Sequence, residues 1–247
     1  MRPEPPYDQP KKSKLQNLDL IIPKERKIRS IVGGLETSLG TTLWEPLAKS
    51  LATANGFKVI DDNLQCPSNM PASLSNEIQI ILDDRNNVGS RLNAQSSHDK
   101  IKDICQSFIS RPISEFGYPP RGKGVDIWLV KDGVNYFFDT KTVQPNLKDF
   151  AGFLDQILNW YAYYYSQYPT GTAVARIVFP YNPSSGSFWA GATGGGAPLE
   201  PTNEGWVENE FWDFCSGHVN TYGIIKDAFS ELHASNELEE TFDRLLS

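Results

Sequence analysis

The segment GVDIWLVKDGVNYFFDTKT, Gly124–Thr142, decides how the chain folds. Asp132-Gly133 is a preferred pair for a two-residue type I′ reversal. The flanking runs are β-branched and aromatic, so the spacing predicts an antiparallel hairpin. Lys131 then faces Val134; counting outward, Trp128 faces Phe137, Asp126 faces Asp139 and Gly124 faces Lys141. Val125, Ile127, Leu129, Tyr136, Phe138 and Thr140 form the other face, nearly all apolar and expected to meet the core. Two carboxylates are thus opposed on one face. Like charges in that relation destabilise a sheet, and burial adds to the cost. A divalent cation offsets it, because Mg²⁺ takes oxygen ligands, usually one or two carboxylates, and keeps several waters. Lys141, two residues beyond Asp139, projects from the same face, beside where an attacking water would sit. Read as an ordinary edge hairpin, the same residues make one surface Lys–Asp pair worth little. The in-register Asp126 and the greasy strands favour the metal-binding reading.

Outward from the hairpin, LKDFAGFLDQILNWYAYYYSQYP (147–169) predicts a long helix with Phe150, Leu154, Ile157 and Tyr161 on its buried face. TAVARIVFP (172–180) predicts a central strand. Upstream, TTLWEPLAKSLATANG (41–56) predicts a helix, with Thr42 and Glu45 at capping-box spacing. FKVI (57–60) predicts a short strand, and NEIQIILDD (76–84) and HDKIKDICQSFISR (98–111) predict helices. The order gives an α/β fold with a mixed central sheet flanked by helices. The tight turn makes one strand pair antiparallel, and the helical crossover makes the next parallel. A Gly-rich loop spans 182–205, and the chain from Trp206 predicts two or three helices with an acidic outer face. Residues 1–30 read as a basic, Pro-rich arm and 31–247 as a single domain.

Composition narrows the possibilities. Of the 247 residues, 39% are hydrophobic and 12% aromatic, which excludes general disorder. No apolar run reaches the ~18 residues a membrane span needs. The N-terminal charges precede no apolar core of a secretory signal. Cys66, Cys105 and Cys215 are odd in number and far apart, so no disulfide framework is expected and a cytoplasmic setting is. The net charge of −7 is uneven: residues 1–30 carry eight basic and four acidic side chains, +4, whereas 200–247 carry eleven acids and two bases, −9. Any polyanion site must therefore be a local basic surface. Cys215-x-x-His218 supplies only two zinc-type ligands, and GATGGGA lacks the Gly-Lys-Ser/Thr ending of a phosphate-binding loop.

GVD followed by YFFDTKT resembles the PD-(D/E)xK nuclease superfamily, with Val125-Asp126 in the variable "PD" position and Asp139-Thr140-Lys141 as "(D/E)xK". DTKTVQPN followed by QILNWYAY, together with GTTLWEPLAKSLA, resembles type II restriction endonucleases that cut GGNCC-like sites, over roughly residues 30–180. The resemblance implies a restriction-endonuclease-like fold and Mg²⁺ held by Asp126, Asp139 and the Thr140 carbonyl. It implies that Lys141 positions or deprotonates the attacking water, and that cleavage leaves a 5′-phosphate and a 3′-hydroxyl. Glu45 is a candidate further metal ligand, with the capping box as its alternative. Gln156, four residues before Trp160, would touch the scissile phosphate or orient the lysine, or else face solvent. Gln144 and Asn146 would contact DNA or cap the following helix. Arg121, Lys123 and the basic arm are candidate phosphate contacts. Asn182 and the Gly-rich loop are candidates for base readout. The implied partner is double-stranded DNA with a short palindromic site, cut by a homodimer. A repair or junction nuclease with the same triad, and a non-catalytic DNA-binding protein with a vestigial site, are the alternatives.

Overall fold

The structure is a computed structural model of the chain and describes residues 34, 38–87, 89–142, 145–191 and 196–235. A π-helical turn, Gly40–Trp44, runs into α1 (Glu45–Ala54), followed by β1 (Lys58–Ile60), β2 (Cys66–Pro67), α2 (Ala72–Arg85), α3 (Ala94–Ser107) and β3 (Phe116–Gly117). Then come β4 (Ile127–Lys131), β5 (Val134–Thr140), α4 (Leu147–Gln167), β6 (Thr172–Phe179) and the single turn α5 (Phe188–Gly191). β7 (Gly205–Val207), α6 (Asn209–Ser216) and α7 (Thr221–Ala234) complete the described chain. Among the described residues, no helix is long and apolar enough to cross a membrane.

The Asp132-Gly133 reversal forms as its residues dictate, with φ of 52° and 78°. Positive φ at both positions defines the type I′ turn, whose twist matches that of the strands it joins. Pairing runs from Lys131↔Val134 to Ile127↔Phe138 in the expected register. β5 then pairs in parallel with β6 along its whole length, because α4 carries the chain back across the sheet. The five-stranded sheet has the order β1-β4-β5-β6-β7, with antiparallel pairing at β1–β4 and β4–β5 and parallel pairing from β5 to β7. This is the mixed, helix-flanked sheet expected.

Two details differ from expectation. Both faces of the hairpin are buried, not one. Ile127, Leu129 and Phe138 pack with Trp44, Ala48 and Phe211 of the α1 and α6 side, while Phe137 and Trp128 pack with Leu154 and Trp160 of α4. The carboxylate-bearing face therefore lies under a helix. Trp206 also begins no helix: Gly205–Val207 forms an edge strand parallel to β6, and Trp206 stacks on Phe138 at 5.9 Å. Tertiary packing outweighs local propensity there.

The Gly-rich loop has an ordered core. Phe188 lies 4.5 Å from Phe179, ring to ring, and Trp189 packs on Phe150 and Phe179. A Cβ on Gly196 or Gly205 would come within 2.6 Å or 2.5 Å of the Trp189 ring, so both positions need glycine. The loop's far end is fixed by Arg85, which reaches both Glu204 oxygens at 2.7 and 2.6 Å and the Pro198 carbonyl at 2.6 Å. Both charged side chains are buried. Removing one partner leaves an uncompensated buried charge, so Arg85→Met should cost about 3–5 kcal/mol in urea unfolding. The double variant Arg85→Met/Glu204→Leu should regain most of that loss.

Candidate active site

The hairpin register ends one residue before the carboxylates. Past Ile127 the regular ladder stops, and the Asp126 N–H donates to the Phe138 carbonyl at 3.1 Å. The Asp126 carboxylate turns back to accept the Thr140 N–H at 3.1 Å. β5 continues without β4, held by β6: the Lys141 N–H donates to the Val178 carbonyl at 2.9 Å. The Tyr181 hydroxyl donates to the Thr142 carbonyl at 2.5 Å. Asp139-Thr140-Lys141 is thus gripped from both sides at the sheet end.

Asp139 is 3% exposed, and its Oδ2 accepts from Lys141 Nζ at 2.6 Å and Gln156 Nε2 at 2.8 Å. The Lys141 ammonium also lies 5.6 Å from the centre of the Phe153 ring. Gln156 projects from the buried face of α4, and its amide also approaches the Gly124 carbonyl at 3.4 Å. It contacts the carboxylate rather than the lysine. Burial, then a hydrogen bond to Asp139 and the charges of Asp139 and Glu45, push the Asp126 pKa up to about 8. Asp126 is therefore largely protonated at neutral pH. If both carboxyls ionise, Lys141 balances only one of them. The donor set, two carboxylates and the adjacent Thr140 carbonyl, consists of hard oxygens of the kind Mg²⁺ takes.

Glu45 is the first residue of α1, delivered by the π-helical turn, and no side-chain hydrogen bond caps that helix. Thr42 Oγ1 instead donates to the Ser38 carbonyl at 2.7 Å, so the capping-box alternative for Glu45 does not hold. Burial first, and the charge of Asp139 with it, raise the Glu45 pKa, while Lys49 acts in the opposite direction. Glu45 lies within the field of the pair, yet among the described residues no three His, Cys, Asp or Glu side chains converge as a metal-holding group.

The remaining candidates separate by their bonding. Arg121 is exposed on the turn leading to β4. Lys123 is paired to Asp155 at 2.6 Å, and its carbonyl accepts from Trp160 Nε1 at 3.0 Å. Asn146 is the N-cap of α4, its oxygen accepting from the Lys148 and Asp149 N–H groups at 2.9 and 3.3 Å. Asn182 holds its own loop, donating to the Gly186 carbonyl at 2.7 Å and accepting from the Ser184 N–H at 3.0 Å. Gln144 and the arm 1–30 lie outside the described residues. Sequence reading missed Asp155, Tyr181 and the bond that Trp160, noted only as the aromatic after Gln156, makes to Lys123. All three act over more than thirty residues of chain, a separation that carries no local signal.

A mixed sheet with an Asp pair and an adjacent lysine at the end of its central hairpin defines a restriction-endonuclease-like nuclease. The sequence matches the family model described as type II restriction endonuclease, HinfI, over residues 4–233, and the chain belongs to that family. Its substrate is accordingly double-stranded DNA. No curated protein and no solved structure matches the chain.

Like charges opposed across a strand pair oppose folding. Asp126→Asn should therefore raise the thermal midpoint of the metal-free protein at pH 8 by a few degrees, about 2–4 °C per kcal/mol for a chain of this size. Mg²⁺ should raise the midpoint of the wild type but not of the variant. Calorimetry in chelator and in Mg²⁺ measures both.

Proposed function

We propose that the protein is a Mg²⁺-dependent, homodimeric type II restriction endonuclease that cuts double-stranded DNA at a short palindromic site, leaving 5′-phosphate and 3′-hydroxyl ends. The observation that carries this reading is the juxtaposition of Lys141 with the Asp126–Asp139 pair, on a chain of a restriction-endonuclease family. Asp126, Asp139 and the Thr140 carbonyl would hold the ion. Bound there, Mg²⁺ would supply the positive charge that acidifies water and offsets the negative charge growing at phosphorus. Lys141, fixed by Asp139 and the strand beneath it, orients the attacking water and donates to the phosphoryl oxygens. The water oxygen bonds to phosphorus, the bond to the 3′-oxygen breaks, and that oxygen leaves with a proton. Gln156 keeps Asp139 from rotating. Glu45 adds negative charge that favours cation capture.

Arg121 is the exposed cation best placed for a phosphate. Lys123 serves the same purpose only by exchanging Asp155 for DNA. The loop 182–205, braced around Trp189, and Asn182 within it form the base-reading side in this reading. A palindromic site matches a two-fold dimer in which each subunit cuts one strand. The GGNCC-like class is the first set of sequences to test. Cutting of incoming DNA places the enzyme in the cytoplasm, and residues 31–247 act as one nuclease domain with the basic arm 1–30 on the DNA.

Phage DNA incubated with the protein and Mg²⁺ should give discrete fragments, and sequencing their ends gives the site and cut position. Smearing would point to a repair nuclease, and binding without cutting to a vestigial site. Lys141→Ala should lower the rate at least ~10²–10³-fold, the scale of losing one transition-state donor, while a gel shift shows DNA binding retained. Normal cutting by Lys141→Ala would refute the role given to that residue.

A further inference from the structure

A cavity of about 670 Å³ opens between α2, α4 and the β2–β3 pair, outside the carboxylate site. It shares α4 with that site. Gln156 turns to Asp139, and the neighbouring Asp155, with Asn159 one turn on and Tyr163 one turn further, lines the cavity. The same stretch of α4 holds the Lys123–Gly124 segment that leads to Asp126, by Asp155 at the lysine ammonium, by Trp160 at the lysine carbonyl and by Gln156 at the glycine carbonyl.

The lining has a definite chemistry. No Lys, Arg or His is among the residues lining it, and the charge of Asp155 is met by Lys123 at 2.6 Å. A phosphate or a free nucleotide therefore finds no cation inside. Tyr163, 6% exposed, lines the cavity, and among the described residues its hydroxyl makes no hydrogen bond. Asn159 donates both of its hydrogen bonds to Asp155, and among the described residues nothing donates to its amide oxygen. Gln79, on the opposite wall, donates to Asp83 and likewise keeps an open oxygen. Tyr118, 77% exposed, stands at the mouth, and Ile78 and Leu82 supply apolar wall.

Walls that mix apolar side chains with amide and hydroxyl groups, at a size within the ~300–1,000 Å³ of small-ligand sites, suit a flat, neutral heterocycle. DNA brings one such group within reach of the cut: a base turned out of the stack. We infer that this cavity receives an unstacked nucleobase from the DNA held at the Asp126–Asp139 site, its edge read by Tyr163 and Asn159 and its face covered by Tyr118. The phosphates of that nucleotide stay outside, where Arg121 is exposed. The inference rests on the nuclease reading and adds a subsite to it.

The test uses Lys141→Ala protein, which holds DNA uncut, and duplexes spanning the site mapped from wild-type digestion. Each duplex carries one 2-aminopurine at successive positions in and beside the site. Fluorescence should rise several-fold on binding at one position. Ser75→Trp, on an exposed position of α2 that lines the cavity, should return that signal to the free-duplex level and slow cleavage at least tenfold in the otherwise wild-type enzyme. Tyr163→Phe is the milder companion and should reduce the signal while preserving the fold seen by circular dichroism. If the wild type cuts DNA but no position responds, or if the signal survives Ser75→Trp, the cavity assignment is wrong and the nuclease reading stands. A wild type that cuts no DNA removes both.

Discussion

Two like-charged side chains held together at the end of a hairpin are the constraint around which the rest of the structure is arranged. Asp139 lies in β5 and Asp126 immediately before β4, and neither is free to leave: Asp126 is tied to the Thr140 N–H, Asp139 to Lys141 and Gln156. Burial first, and then the hydrogen bond and charge of Asp139, push the Asp126 pKa up to about 8. Such an arrangement opposes folding, and natural sequences retain local conflicts of this sort chiefly at functional sites. In the proposed reading a cation compensates for it, and a cation held by such oxygens beside a phosphate is what phosphodiester hydrolysis requires.

Helix α4 is the element that makes the conflict tolerable. Its apolar face packs on the sheet through Leu154, Ile157 and Trp160, and its start is fixed by a capping box at Asn146 and Asp149. From that fixed position Gln156 reaches Asp139, while Asp155 and Trp160 hold the segment that feeds Asp126 into β4. Core packing and site geometry are therefore one problem in this chain. A shift of α4 would move the carboxylate, its glutamine and the loop before Asp126 together. On the other side of the sheet, the π-helical turn sets Glu45 close enough to raise the charge cost further. π-bulges of this kind occur often at functional sites.

The hairpin was legible because three local signals agree: an Asp-Gly reversal, period-two alternation and β-branched flanks. That fixed the register, and the register placed Asp126 near Asp139. The long helix was legible from its 3.6-residue apolar spacing. Glu45 was half-legible: its spacing from Thr42 suggested a cap, but the turn before it is π-helical, which no spacing rule anticipates. β7 escaped because a three-residue edge strand is created by packing on β6 rather than by its own sequence. Arg85 with Glu204 also escaped, since a pair 119 residues apart leaves no local trace. Lys123 and Asn182 looked like open DNA contacts because a sequence does not reveal which polar groups already have partners at home.

The central claim is that a divalent cation sits between the Asp126 and Asp139 oxygens. Anomalous diffraction from crystals soaked in Mn²⁺ tests it most directly. A peak bridging the two carboxylates, with the Thr140 carbonyl turned toward it and Lys141 beside it, is the expected result. Carboxylates pointing apart, with no anomalous density between them, would contradict it.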